Sequence, residues 1–302
     1  MKNVIVTGAT SFIGIALLKL LYKRNIAVTA IIRPNSSRKG LLKSQLIDCE
    51  IVECELDKIA SVELSKTEYD AIFHIGWSSD FENSRYNLNG QLKNVEYCKN
   101  VIELGKRYNC KKILSVGSQA ECGLVDKPIS SLTNSNPQTA YAEAKCIAFD
   151  ECRKLSATEG IQLYWPRLLS AYGPYDRNST MIMACINACK NKEIMSLTPA
   201  EQIWDYVYID KVAEALLAII EKGKAEKKYS IASGIGRPLK EYISIVSDVM
   251  EFPQLLSGIG MKDYVANQVM YLVGDVRELY EDTGVIMQYD FKNGINNILS
   301  NM

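Results

Sequence analysis

The sequence predicts an α/β chain built on a doubly wound parallel sheet, with a smaller α/β lobe towards its C-terminal end. Three observations predict it. Short, nearly continuous apolar runs recur along the first half of the chain, as strands buried on both faces require. Helical patterns lie between several of them, supplying the crossover connections that parallel strands need. From about residue 170 that alternation gives way to a less regular section rich in Gly, Tyr and Asn.

The strands are read in order as "NVIVTG" from residue 3, "AVTAIIRP" from 27, "CEIVECE" from 49, "YDAIFHIGW" from 69, "KKILSVGS" from 111 and "IQLYWPRLL" from 161. Apolar residues at helical spacing mark 13–24, 88–108 and 141–157 between them, and 180–191 in the later section. This pattern divides the chain into a first domain, residues 1–169 plus about 201–224, and a smaller lobe, about 170–200 plus 225–302. No internal repeat, low-complexity tract or obvious linker interrupts it.

A chain of 302 residues can bury a large core and suits one or two domains. Acidic and basic residues balance at 35 each, so no global charge advertises a nucleic-acid polymer or a membrane surface as partner. The apolar runs are shorter than a bilayer span, and the first strand begins at the second or third residue, which leaves no room for a signal peptide. Nine cysteines are scattered without a C-x-x-C pair, and there is one histidine. That usage disfavours a disulfide scaffold and a zinc site, and it suits reduced thiols in the cytoplasm.

The stretch "NVIVTGATSFIGIALLKLL" carries the first functional signal. A β-branched run feeds a turn with Gly8, Ser11 and Gly14, and an amphipathic helix follows. In a Rossmann-type fold such a turn lets the backbone approach a dinucleotide's pyrophosphate, while the helix N-terminus offers free N–H groups and a positive dipole. The middle position holds Ser11 where glycine is usual, so its Cβ must fit near the phosphates. A plain strand-to-helix turn is the bland alternative.

A second signal is a Tyr–Lys pair. Tyr141 and Lys145 are four apart on a helical segment and therefore share one face. A phenol is a poor acid or base at neutral pH, and a neighbouring ammonium favours its phenolate and eases proton transfer. Ser118 ends the strand "KKILSVGS", at the edge where open α/β sheets place their ligand crevice, within reach of the same substrate oxygen. An ordinary surface Tyr–Lys pair is the alternative.

Together "TGATSFIG", "AYAEAK", "YGP" and "WDYVYIDKVAEA" resemble the extended short-chain dehydrogenase/reductase family, in particular its nucleotide-sugar epimerases, dehydratases and reductases. The resemblance runs along essentially the whole chain and is strongest to about residue 220. It implies that Ser118, Tyr141 and Lys145 are the catalytic trio, with Lys145 also on the nicotinamide ribose. It implies a cofactor site formed by Gly8, Thr10, Ser11, Phe12, Ile13 and Gly14, by Gly76 and Trp77 in the loop after the fourth strand, and by Asp57 at the adenine; a solvated turn aspartate is the other reading of Asp57. Asn87 matches a family asparagine at a helix start, and a simple N-cap explains it equally. His74 reads better as a structural histidine than as an acid or base. The family further implies a homodimer through a four-helix interface, for which 88–108 and 141–157 are the candidate helices.

The end of the second strand, "AIIRPNSSRK", bears on the cofactor. An acid there binds ribose hydroxyls and repels a 2′-phosphate, whereas arginine pairs with it. Arg33, with Arg38 and Lys39 close behind and no acid among them, favours NADP, with NAD as the alternative. A consumed NADPH suits a 4-keto reductase of a nucleotide-linked deoxysugar. An epimerase is the alternative, and a catalytically silent nucleotide-sensing regulator is a further one. The 4,6-dehydratase of the family needs an acid and a base beside its catalytic serine or threonine, where Gln119 and Ala120 stand. Other departures concern the substrate: Cys122 replaces a tyrosine, Ser170 an asparagine, and Trp204 the arginine that helps bind a diphosphate. Arg177, Arg237 and Arg277 are the candidate replacements for that charge, and each also reads as a surface residue.

Overall fold

The computed structural model describes residues 1–45, 48–79 and 83–302, with the backbone alone at Lys43. In chain order the first part runs β1 (Asn3–Thr7), α1 (Phe12–Lys23), β2 (Ala27–Ile32), α2 (Lys39–Ser44), β3 (Glu50–Glu53), β4 (Ala71–His74), α3 (Leu88–Arg107), β5 (Lys112–Ser115), β6 (Gly117–Ser118), α4 (Ala140–Thr158), β7 (Gln162–Tyr164) and β8 (Arg167–Leu168). It continues through β9 (Ser170–Tyr172), α5 (Met181–Asn191), β10 (Ile203–Trp204), β11 (Tyr206–Tyr208), α6 (Ile209–Lys222), β12 (Ser230–Ile231), β13 (Arg237–Pro238), α7 (Leu239–Val249), β14 (Tyr271–Leu272), α8 (Arg277–Thr283) and α9 (Phe291–Leu299).

Among the described residues, six strands form the main sheet in the order β3-β2-β1-β4-β5-β7, every pairing parallel. The order reverses at β1, where doubly wound sheets open a crevice at the carboxyl ends of their strands. Strand residues such as Val4, Ile5, Ile72, Phe73, Ile113 and Leu114 have no exposure, because helices cover both faces. One face packs on α1 and α6, with Leu17, Leu18, Leu216 and Ile220 in a core that continues into the smaller lobe. The other face packs on α3 and α4 through Val101, Ile102, Ala148 and Phe149.

Two strands read as continuous in the sequence are broken in the structure. "KKILSVGS" leaves the main sheet after Ser115: Gly117 donates its N–H to the Pro166 carbonyl at 2.8 Å, and β6 joins a small sheet ordered β12-β8-β6. "IQLYWPRLL" divides at Pro166, which lacks the N–H that a central strand would need. This swerve carries Ser118 off the main sheet into the crevice. The remaining small sheets, β11-β9 and β13-β10-β14, lie outside the main sheet, and α7 packs on β13, α5 and α9. All nine cysteines are free thiols, and no helix among the described residues is long and apolar enough to cross a membrane.

Candidate active site

The glycine turn closes on itself. Gly8 has φ +66°, and a Cβ there would stand 2.7 Å from the Gly76 nitrogen, while a Cβ at Gly14 would stand 2.4 Å from the Gly8 carbonyl oxygen. Both positions therefore exclude any larger residue. Ser11 causes no such collision: it is the N-cap of α1, and its hydroxyl accepts the Gly14 N–H at 3.0 Å. The N–H groups of Phe12 and Ile13 belong to the first turn, where a helix has no internal acceptor for them. Backbone donors, a positive helix end and three glycines packed together form a cradle of the kind a pyrophosphate occupies.

Behind the cradle, Thr7 Oγ1 accepts the Gly76 N–H at 3.2 Å. The same hydroxyl shares a hydrogen bond with His74 Nδ1 at 2.7 Å, and His74 Nε2 shares one with the Cys98 sulfur at 3.4 Å. His74 is buried in this chain and thus braces the loop after β4 from within. That loop is also held from α3. Asn94, on a buried turn of the helix, accepts the Ser78 N–H at 2.7 Å and donates to the Ser78 carbonyl at 3.0 Å, and Gln91 accepts from Trp77 Nε1 at 2.8 Å. Asn87 is the N-cap of α3, accepting the Gly90 N–H at 2.9 Å.

Ser118, Tyr141 and Lys145 come together at the mouth of this crevice. Thr139 caps α4 by accepting the Ala142 N–H at 3.2 Å, and the Tyr141 N–H donates to the Arg85 carbonyl at 3.1 Å, which fixes the start of the helix. The Ser118 hydroxyl lies beside that of Tyr141. Burial pushes the Tyr141 phenol above its ordinary value; the neighbouring Ser118 hydroxyl and the charges of Arg85 and Arg177 oppose this, and the Glu121 charge adds to it. The expected lowering of Tyr141 by Lys145 is not what dominates here. The Lys145 ammonium donates instead to the Val116 carbonyl at 2.7 Å and lies 3.6 Å from the centroid of the Trp77 ring. Burial pushes Lys145 down to about 8, while the Glu121 charge acts in the other direction. Trp77 also meets Tyr141 edge-on, at 5.8 Å between centroids.

Other sequence candidates are less concentrated. Arg33 is exposed at the end of β2, and its loop is drawn over the glycine turn by a 3.0 Å contact between the Ser36 and Thr10 hydroxyls. Of its basic neighbours, Lys39 is paired with Glu53, and Arg38 donates to the Tyr175 carbonyl at 2.9 Å. Asp57 lies exposed in the 3-10 turn Leu56–Ser61. Trp204 donates through Nε1 to the Ser170 hydroxyl at 2.8 Å and stands opposite Arg237 in the β10–β13 register. Arg177 is exposed in the loop after β9. Arg277 is taken by Asp275 at 2.6 Å on the surface.

The sequence reading missed Glu121, which is completely buried beneath Ser118 and accepts its N–H at 2.9 Å. The signal was present: Ser118-Gln119-Ala120-Glu121 has the S-x-x-E spacing of a capping box, and the structure forms one. It also missed Asn94, Gln91 and the Trp77 ring over Lys145, for which spacing gives no signal.

Comparison with known proteins places this geometry. The chain is 28% identical over 250 residues to a CDP-abequose synthase of Salmonella muenchen, covering 81% of this chain and 80% of that protein. It is 27% identical over 214 residues to a dTDP-6-deoxy-L-talose 4-dehydrogenase (NAD(+)) of Aggregatibacter actinomycetemcomitans, covering 68% and 76%. Its fold superposes on that of RMD from Pseudomonas aeruginosa, solved in complex with NADPH, with a TM-score of 0.83 at 20% identity over 100% of this chain and 98% of the other. A family model also matches residues 4–232, from the first strand to just past β12, and the chain is an enzyme of the NAD dependent epimerase/dehydratase family.

Proposed function

We propose that the enzyme is an NADP-dependent 4-keto reductase of a nucleotide-linked deoxysugar. The observation that carries this reading is the convergence of Ser118, Tyr141 and Lys145 on a glycine cradle, with Tyr141 held in the protonated form that a reduction needs. The substrate class is supported by the relatives, whose names give CDP- and dTDP-linked sugars, one with redox chemistry at C4. Gln119 and Ala120 offer no acid–base pair for dehydration.

The residues present fit a nicotinamide dinucleotide. The cradle of Gly8, Thr10, Ser11, Phe12, Ile13 and Gly14 would hold its pyrophosphate, Asp57 its adenine, Arg33 its 2′-phosphate, and Gly76 and Lys145 its nicotinamide end. When bound, the reduced cofactor supplies the hydride for the keto carbon. Tyr141 donates its hydroxyl proton to the oxygen as charge develops there, and Ser118 supports that hydroxyl and the oxyanion. The Lys145 ammonium stabilises the phenolate left behind. Ser170, Trp204, Arg177 and Arg237 are assigned to the sugar nucleotide, with residues 1–169 and about 201–224 binding cofactor and the remainder forming the substrate lobe. Reduced thiols suit a cytoplasmic enzyme.

The test is NADPH oxidation with CDP- and dTDP-linked 4-keto-6-deoxyhexoses. Net consumption is expected. Interconversion of sugars without consumption would make the enzyme an epimerase, and binding without turnover would make it a regulator. NADPH is expected to bind more tightly than NADH, and Arg33→Ala to remove that preference, by titration of protein fluorescence. Equal affinities in the parent protein would reassign the cofactor to NAD.

A further inference from the structure

Beneath the Ser118–Tyr141 pair lies a carboxylate that no step of the proposed reaction consumes. One oxygen of Glu121 accepts the Ser118 N–H at 2.9 Å and the Trp165 Nε1–H at 3.0 Å; the other accepts Arg167 Nε–H at 3.1 Å. Arg167, itself 1% exposed, also donates to the Thr133 carbonyl at 2.7 Å and the Ser135 hydroxyl at 3.0 Å. A Cβ at Gly117 would stand 2.6 Å from both the carboxylate and the Trp165 nitrogen, so the main chain leading to Ser118 lies directly on Glu121.

This arrangement directs the Ser118 hydroxyl. Its oxygen accepts the Ala120 N–H at 3.2 Å, so the turn that carries Glu121 also sets where this hydroxyl stands beside Tyr141. Around Tyr141 the charges are Glu121 from the turn after β6, Arg85 from the turn before α3, Arg177 from the loop after β9, and Lys145 on the same helix, 5.9 Å from the ring centroid. Around Glu121 they are Arg167 from β8 and Lys228 before β12, the latter 3.8 Å away. Among these described groups Glu121 alone brings negative charge to the tyrosine.

We propose that Glu121 is a positioning residue for proton donation by Tyr141: it orients Ser118 through the main chain and sets a fixed negative charge behind the hydroxyl pair. Building on the reductase reading, its consequence is directional. A negative charge disfavours phenolate, so Tyr141 keeps its proton until the substrate oxygen becomes basic enough to take it. The same charge supports the ammonium form of Lys145. The site is thus set to donate a proton rather than to withdraw one.

Glu121→Gln keeps the shape and an acceptor for Ser118 but removes the charge. The position at which Tyr141 ionises is read by NMR of protein carrying [13Cζ]tyrosine, its signal identified by loss in Tyr141→Phe. The expected result is ionisation of Tyr141 at a lower pH in Glu121→Gln than in the parent. Glu121→Asp, which withdraws the charge by one methylene, gives a smaller change of the same sign and serves if the glutamine variant does not fold. In NADPH oxidation with a CDP-linked 4-keto-6-deoxyhexose, the alkaline fall in kcat moves down in the same order. A folded variant whose Tyr141 ionises where the parent's does overturns the proposal, since a purely structural role lowers the melting temperature without moving that titration. Retained NADPH oxidation in Tyr141→Phe would instead overturn the reductase reading itself.

Discussion

Tyr141 and Lys145 stand one helical turn apart, and burial drives them in opposite directions, the phenol up and the ammonium down to about 8. At neutral pH the pair is therefore a phenol beside an ammonium, the state from which a proton is given. Tyr141→Phe keeps the ring against Trp77 and loses only the hydroxyl. Turnover is expected to fall at least about a hundredfold, the lower end of general acid contributions, with the melting temperature and cofactor affinity little changed. Near-parent turnover would remove Tyr141 from the mechanism. The sign of the pH dependence follows from Lys145: its ammonium is present below about 8 and is lost as pH rises through that value, so reductase activity declines there. Lys145→Met should abolish that limb while lowering the plateau, as a pH–rate series over about 6 to 10, the span in which the lysine loses its proton, would show. The two effects share one proton-transfer unit and should combine less than additively.

At the level of elements, the sequence yielded what periodicity controls. The strands of the main sheet begin within two residues of the apolar pattern, and the helices α1, α3 and α4 match it to within a residue, because burial on a sheet face writes a period into the chain. Breaks set by single main-chain bonds were not legible in that way, such as the departure of β6 towards Pro166. The two-residue strands outside the main sheet were illegible for a similar reason, since they exist only through partners far along the chain, as Ile203 and Trp204 do with Pro238 and Arg237. Asp205 shows how these outer segments are fastened. Completely buried, it accepts the Ser233 N–H at 2.8 Å, the Ser233 hydroxyl at 2.6 Å, the Gly234 N–H at 3.0 Å and the Gly274 N–H at 3.2 Å. Asp205→Ala strands these donors away from water, and at about 1–3 kcal/mol for each unsatisfied group the loss should reach at least about 3 kcal/mol. Urea unfolding of the variant measures it; a loss below about 1 kcal/mol would mean that water replaces the carboxylate.

For the whole molecule, α3 and α4 lie side by side on one face of the sheet, and we propose that they pair with their counterparts in a homodimer. Their outer positions carry the Lys99–Glu96 and Lys154–Glu151 pairs, which makes such an interface charged and its association sensitive to salt. Light scattering at micromolar concentration should give a dimer that weakens as salt is raised; a monomer at every salt concentration would reject it. The free thiols give the folded protein a further property. Cys98, Cys110, Cys122, Cys152, Cys185 and Cys189 are buried, while Cys49, Cys54 and Cys146 are only half covered, and burial raises each of these last three above the ordinary thiol range. The six buried cysteines thus form a set of internal reporters, silent towards a thiol-selective dye while their surroundings stay closed. Cys185 and Cys189 lie on α5, whereas Cys110 and Cys152 lie against the main sheet. Labelling followed by mass mapping should therefore tell which half of the enzyme opens first as it is warmed or loses its ligands.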